Sequence, residues 1–366
     1  MRAVNILIKP SSSNCNMRCK YCFYFDEADN RSTPSFGFMD DTTMFTLIEK
    51  ALQHAAEQCV FGFQGGEPML VGLSWFERFV DCVQQLNTNN IQVSYALQTN
   101  GTLINEDWAH FFAQNNFLVG VSLDGPRKFH DYYRRDNHNN GSFARIMNNI
   151  KILQDYNVNF NTLTVVTARS ACNIKDIYRF FINHNLLNHQ YILCLDPIEG
   201  SASKSSYALS PTLCLRFLTD LFDVWYTDRR AGIPVYNRYF ENLAGLLKGC
   251  VPETCSMRGM CSAQYAVEAD GSVYPCDFYM TDPYYLGNIT TDSFGTIDNT
   301  RQKIGFIERS CKLSKDCFSC RWLAVCRGGC YRDRLIDPEN GTSLNKYCEI
   351  YKKFFAYAIP RLSTLL

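Results

Sequence analysis

Three thiols fall within eight residues near the start of the chain, Cys15-Asn-Met-Arg-Cys19-Lys-Tyr-Cys22. Three thiolates at this spacing can ligate three irons of a four-iron cubane and leave the fourth iron open to a substrate or cofactor. Zinc is the alternative, but structural zinc takes four ligands, and no fourth Cys or His lies nearby. A second array runs through the last third as Cys261, Cys276, Cys317, Cys320, Cys326, Cys330 and Cys348, with Cys250, Cys255 and Cys311 beside it. Its CX2C element alone also suits a zinc knuckle. The chain holds 18 cysteines in 366 residues. Disulfides would explain them in a small secreted scaffold. Here 46% of residues are hydrophobic, enough for a full core, so close-spaced thiols read as metal ligands. The scattered Cys59, Cys82, Cys172, Cys194 and Cys214 read as small buried hydrophobes.

These thiols need a scaffold. Residues 4–8, 60–64, 93–98, 118–123, 160–167 and 191–195 are short, apolar and rich in β-branched or aromatic side chains, as strands are. Between several of them lie helical periodicities over 42–58, 75–86, 143–156 and 174–183, with Asp41 as the N-cap of the first. Six βα repeats imply a parallel sheet, since each crossover takes a helix. Periodicity leaves open whether that sheet is flat or curled into a partial barrel. A polar loop over 199–206 then leads to helices near 213–226 and 236–248. Residues 264–275 read as a hairpin turning at Asp270-Gly271. The rest is loop-rich, and metal would supply its missing cross-links.

The CX3C-aromatic-Cys triplet resembles the signature of the radical S-adenosylmethionine (SAM) superfamily. That resemblance implies a partial (β/α)6 barrel, with the open iron chelating the methionyl end of SAM. It implies that Tyr21 meets the adenine, that Gly66 of Gly65-Gly66-Glu67-Pro68 bonds the amino group, and that Ser122 of Ser122-Leu123-Asp124-Gly125 faces the barrel mouth. Arg134 would pair with the SAM carboxylate through its planar fork, with Arg135 as its competitor, and Leu195 would pack on adenine.

From Cys261 onward the spacing resembles the SPASM extension of such enzymes. Its interleaved pattern implies two further cubanes, one on Cys255, Cys261, Cys276 and Cys330, the other on Cys317, Cys320, Cys326 and Cys348. Spacing does not exclude Cys250 in place of Cys255. Fully ligated clusters have no vacant iron and suit electron transfer. The expected division is a radical SAM barrel over 1–230 and a SPASM unit over 231–366.

Over its whole length the chain is similar to the anaerobic sulfatase-maturating enzymes, through Leu7-Ile8-Lys9-Pro10, Cys22-Phe23-Tyr24, Gln64 to Pro68, Gln98-Thr99-Asn100-Gly101 and Pro275-Cys276-Asp277-Phe278-Tyr279. That likeness implies oxidation of a Cys or Ser of a sulfatase motif to Cα-formylglycine, with Asp277 as proton acceptor and Tyr24, Gln64 and Gln98 as peptide contacts. A maturase that cross-links a ribosomal peptide is the rival enzyme, and an iron–sulfur electron carrier the rival without catalysis. The expected cofactors are SAM and three [4Fe-4S] clusters. The expected partners are an unfolded or nascent sulfatase polypeptide and a reduced flavodoxin- or ferredoxin-type donor, with the enzyme a monomer. Lys plus Arg and Asp plus Glu are 36 each, which argues against a broad nucleic-acid footprint. The opening residues read as a strand rather than a signal peptide, and no apolar run is long enough for a bilayer. The expected location is the cytoplasm.

Overall fold

The computed structural model describes residues 3–198 and 207–366. The polar loop expected at 199–206 lies outside the described residues. Strand β1 (Ala3–Ile8) buries Val4, Ile6 and Ile8 in alternation, as a pleated strand with a packed face must. Short helix α1 (Phe23–Asp29) follows the cysteine loop, and α2 (Asp41–His54) leads to β2 (Gln58–Phe63). Then come α3 (Leu73–Leu86), β3 (Gln92–Thr99), α4 (Glu106–Gln114), β4 (Leu118–Ser122), α5 (Arg127–Tyr133), α6 (Phe143–Asp155) and β5 (Phe160–Val166). After α7 (Ala168–Ala171) and α8 (Ile174–Asn183), β6 (Asn188–Leu193) completes six parallel strands in sequential order. β1 and β6 do not pair with each other, so the barrel is partial.

Later residues extend both edges. After α9 (Pro211–Arg230), β7 (Tyr236–Asn237) pairs with β6, and α10 (Arg238–Leu247) follows. At the other edge β8 (Tyr265–Val267) lies parallel to β1, with Ile6 opposite Tyr265. β9 (Ser272–Tyr274) and β10 (Gly287–Asn288) continue antiparallel. The β8–β9 turn needs Gly271, whose φ is +85°.

Tertiary packing moved several expected boundaries. Asp40, not Asp41, caps α2 by accepting from Thr43 N at 2.7 Å, and the helix stops at His54. Helix α4, capped by Asn105 on Trp108 N, and helix α5 are additional to the expected ones. Residues 236–237 are a sheet edge rather than helix. β6 ends at Leu193, two residues before Leu195.

The core lies between the sheet and its helices. Phe63 packs edge-on to Phe76 and Phe79 at 4.9 and 5.0 Å. The cysteine-rich region is tied together by polar bonds instead. Buried Arg334 donates to the carbonyls of Ser310 (2.6 Å), Gly329 (2.8 Å) and Gly328 (3.0 Å), which pins the loop between Cys326 and Cys330. The C-terminal helix Cys348–Leu362 docks on α9 through Phe354 against Phe222 and an Arg361–Asp223 ion pair of 2.6 Å.

Candidate active site

One cavity of about 520 Å³ opens at the C-terminal ends of the strands, a volume suited to a cofactor-sized ligand. Cys15, Cys19 and Cys22 line it, carried on the loop between β1 and α1. Burial pushes the Cys15 and Cys19 thiols up to about 12. Such a trio ionises when a metal takes the place of its protons. Among the described residues no three Cys, His, Asp or Glu side chains gather around a single metal ion. On donor chemistry the residues present fit a three-thiolate cluster.

The loop is held by the turn after β2. Gly66 N donates to Ser12 O and Glu67 N to Asn14 O, both at 2.8 Å. Glu67 is fully buried and accepts from Thr99 Oγ1 (2.8 Å), Met69 N (3.1 Å) and Asn100 N (2.7 Å). Burial pushes its carboxyl up to about 7, against those three bonds. Glu67 thus fastens the glycine turn to the end of β3 and, through it, the cysteine loop. The Gly66 N–H is already committed, so only its carbonyl remains for a ligand ammonium.

Tyr21, Gly66, Ser122, Arg134 and Leu195 all line the same cavity. Ser122 ends β4, and Leu195 reaches the wall from beyond β6. Arg134 leaves the end of α5 and is buried, with Nε donating to Asp124 Oδ2 at 3.2 Å and Nη1 4.0 Å from Cys19 Sγ. Tyr21 also donates its hydroxyl to Asp124, beneath the Arg134 guanidinium at 5.4 Å. Arg135 instead donates to the carbonyls of Asp131 (2.9 Å) and Asn139 (3.0 Å) on its own loop. Asp124 anchors the cluster of polar groups, with Oδ1 accepting from Val165 N at 3.1 Å. Sequence reading passed over Asp124 and Glu67 although both stand inside quoted motifs. The available signal was an acid set beside glycine in each strand-end motif; its burial shows only in the fold.

Tyr24, Gln64, Gln98 and Asp277 line the same cavity. Tyr24 turns its hydroxyl to Glu268, which also takes Arg31 at 2.6 Å. Lys9 is fully buried, its ammonium 4.5 Å over the Tyr24 ring and 3.4 Å from Gln64 Oε1. Burial lowers the Lys9 pKa, while Asp277, then Glu268 and Glu27, oppose that. Glu27 is pushed up to about 9 by burial and then by Asp277, and its Oε2 has no hydrogen-bond partner among the described residues. Asp277, itself half-buried, thus stands beside the buried Lys9, Glu27 and Glu268, with Oδ1 accepting from Cys276 Sγ at 3.5 Å.

The remaining thiols fall into two neighbourhoods. Beyond burial, Cys276 feels Asp277 and then Cys330 and Cys255, Cys330 feels Cys255 and Cys261, and Cys261 feels Cys255 and, more weakly, Cys311. Separately, Cys326 feels Cys348, Cys317 and Cys320. The first group reaches the cavity, whereas Cys317, Cys320 and Cys348 do not line it. Cys250, Cys255 and Cys311 are exposed, and of these three Cys255 alone lines the cavity. Of the scattered cysteines, Cys59, Cys194 and Cys214 are buried and Cys82 is half-buried, but Cys172 is exposed, contrary to the hydrophobe reading.

Two family models match the chain: the radical SAM superfamily over residues 10–181 and an iron–sulfur cluster-binding domain, SPASM, over 255–321. A cysteine-type anaerobic sulfatase-maturating enzyme of Clostridium novyi (strain NT) is 46% identical over 99% of this chain and 97% of its own. One from Clostridium perfringens (strain 13 / Type A) is 41% identical over 99% and 98%. A solved structure, native anSMEcpe with bound AdoMet and Cp18Cys peptide, superposes with a TM-score of 0.93 at 39% identity, covering 99% of this chain and 98% of that one.

Proposed function

The chain belongs to the anaerobic sulfatase-maturating enzymes, and from that premise we propose that it oxidises a cysteine of a sulfatase motif to Cα-formylglycine. The cysteine-type name of both Clostridium relatives favours cysteine over serine. The observation that carries the reading is that the three-thiol loop, Arg134 and Asp277 line one cavity. When bound, SAM and the clusters supply a 5′-deoxyadenosyl radical that takes one Cβ hydrogen, and a sink for the electron then released.

The chain's own residues do the rest. Cys15, Cys19 and Cys22 hold the open cluster. Arg134 offers a guanidinium to the SAM carboxylate, the Gly66 carbonyl takes its ammonium, Ser122 adds a hydroxyl, and Tyr21 and Leu195 bracket the adenine. Cys255, Cys261, Cys276 and Cys330 hold an inner auxiliary cluster, and Cys317, Cys320, Cys326 and Cys348 an outer one. Once Cys276 is a ligand its thiol proton is gone, which frees the Asp277 carboxylate to accept the substrate proton. Buried Lys9 balances that carboxylate's charge. Gln64, Gln98 and the Tyr24 ring form the peptide side. The partners are an unfolded or nascent sulfatase chain and a flavodoxin- or ferredoxin-type donor, with the enzyme a cytoplasmic monomer. No helix among the described residues is long and apolar enough to cross a membrane.

Hydrogen abstraction and proton removal are separate events, so Asp277→Asn tests the assignment. Losing a general base costs ~10²–10⁴-fold. The expected result is uncoupling, with 5′-deoxyadenosine still formed while mass spectrometry of a sulfatase-motif peptide finds formylglycine production collapsed. A normal rate of formylglycine would remove Asp277 from the mechanism.

A further inference from the structure

The wall that carries the three thiols has an outer side. Residues 17–20 pair with 133–136 as a short ribbon: Met17 bridges Asp136, Arg18 N donates to Arg135 O at 2.7 Å, and Lys20 N to Tyr133 O at 3.1 Å. Around this ribbon Arg18, Lys20, Lys128, Arg145 and Arg169 are exposed, and none has a carboxylate partner among the described residues. The nearby acids are engaged. Asp131 pairs with Arg127 at 3.8 Å and takes Phe143 N, and Asp136 takes the amides of His138 and Asn140.

The cations rest on exposed aromatic rings. Lys20 lies 4.0 Å and Arg169 4.5 Å from the ring of Tyr132, which is 39% exposed. Arg18 lies 5.5 Å over Phe25. Two cations on one ring repel each other, and an anion laid between them relieves that repulsion. The chain as a whole balances 36 cationic against 36 acidic residues, so this unmatched cluster is local.

Beside the ribbon a recess of about 490 Å³ is lined by Asn16, Met17, Thr102, His138 and Arg145. Met17 also lines the cavity of the three thiols, so it borders both the outer recess and the seat of the radical cluster. Electron transfer weakens steeply with distance, so an electron entering here has a short path.

We propose that this face is the docking site of a small acidic one-electron carrier protein, which gives up one electron as the Cys15–Cys19–Cys22 site gains one. The proposal rests on the radical SAM reading of those thiols, but not on the identity of the peptide substrate. Flavodoxin is the probe, oxidised for binding and reduced for turnover, with anaerobically reconstituted holoenzyme. Calorimetric titration should give a Kd that rises steeply with salt. Lys128→Glu/Arg145→Glu, clear of the cysteine loop, should raise that Kd by about 10-fold through lost attraction and added repulsion. Lys20→Glu/Arg169→Glu should do the same, while Lys20→Arg/Arg169→Lys should bind as wild type does. Dithionite-driven release of 5′-deoxyadenosine should stay at its normal rate in Lys128→Glu/Arg145→Glu while the flavodoxin-driven rate falls. Wild-type affinity in both charge-reversal variants, or a Kd indifferent to salt, would overturn the proposal. If the peptide assignment alone were wrong, formylglycine would be missing with dithionite as well, and the flavodoxin affinities would be unmoved.

Discussion

Replacing Gly66 by alanine asks whether this glycine serves the cofactor or the loop that carries the first thiols. A Cβ built there lies 2.1 Å from Asn14 O, 2.6 Å from Asn14 C and 2.7 Å from Ser13 C. All three are backbone atoms of the segment entering Cys15, so no flexible side chain can swing aside. Ordinary contacts begin near ~3.5 Å, and the segment must retreat by roughly 1 Å. Gly66 is not among the glycines with positive φ, so its backbone tolerates alanine and the clash acts alone. Overpacking of this kind costs about 1–3 kcal/mol. Retreat also stretches the Gly66–Ser12 and Glu67–Asn14 bonds, each worth about 1 kcal/mol net. The sum, about 3–5 kcal/mol, falls on one short loop and displaces Cys15. The expected outcome is loss of about one third of the iron if each cubane assembles independently. 5′-Deoxyadenosine formation should stop, and the auxiliary-cluster signals should persist in electron paramagnetic resonance. A variant with full iron and only weakened SAM binding would refute this reasoning and leave Gly66 a ligand contact alone.

Arg134→Ala should weaken SAM binding by about 1.5–3 kcal/mol, the range for a charge-assisted bond, without changing iron content. Arg135→Ala should leave calorimetric SAM affinity unaltered, because that guanidinium is spent on its own loop. Cys255→Ala should lower iron and perturb one auxiliary signal, whereas Cys250→Ala should retain full iron: both thiols are exposed, but Cys255 lines the cavity beside Cys276 and Cys330 while Cys250 does not. His189 is buried and its pKa is lowered to about 4, first by burial. The unfolded chain takes up that proton near pH ~6.5, so His189 makes stability rise from about pH 4 to 6.5 and level off above. His189→Gln should reduce the difference in unfolding free energy between pH 5 and pH 7 by an amount on the order of 2 kcal/mol, read by denaturant titration; an unchanged difference would place the pH dependence elsewhere.

Much of this molecule is legible along the chain, because the relevant rules are local. Alternation in Val4, Ile6 and Ile8 marks a strand whatever it later pairs with. Asp270-Gly271 marks its hairpin because only four residues are needed to close the turn. The triplet Cys15, Cys19 and Cys22 brings three donors into reach of one cluster by short spacing alone. Other features depend on residues far apart in sequence. Arg134 and Arg135 are adjacent and chemically alike, and only the turn at the end of α5 directs one to Asp124 and the other to its own loop. Cys276 comes under the influence of Cys330, which stands farther along the chain than Cys311, as well as of Cys255, a grouping that spacing alone does not fix. Glu67 and Asp124 look like ordinary turn acids until burial forces each to find partners from other strands, Thr99 and Asn100 for one and Val165 for the other. Residue types and close spacing therefore settled which chemistry the chain can perform. The placement of that chemistry was decided by tertiary structure, since a buried charge must be matched by groups that only the folded sheet brings within hydrogen-bond distance.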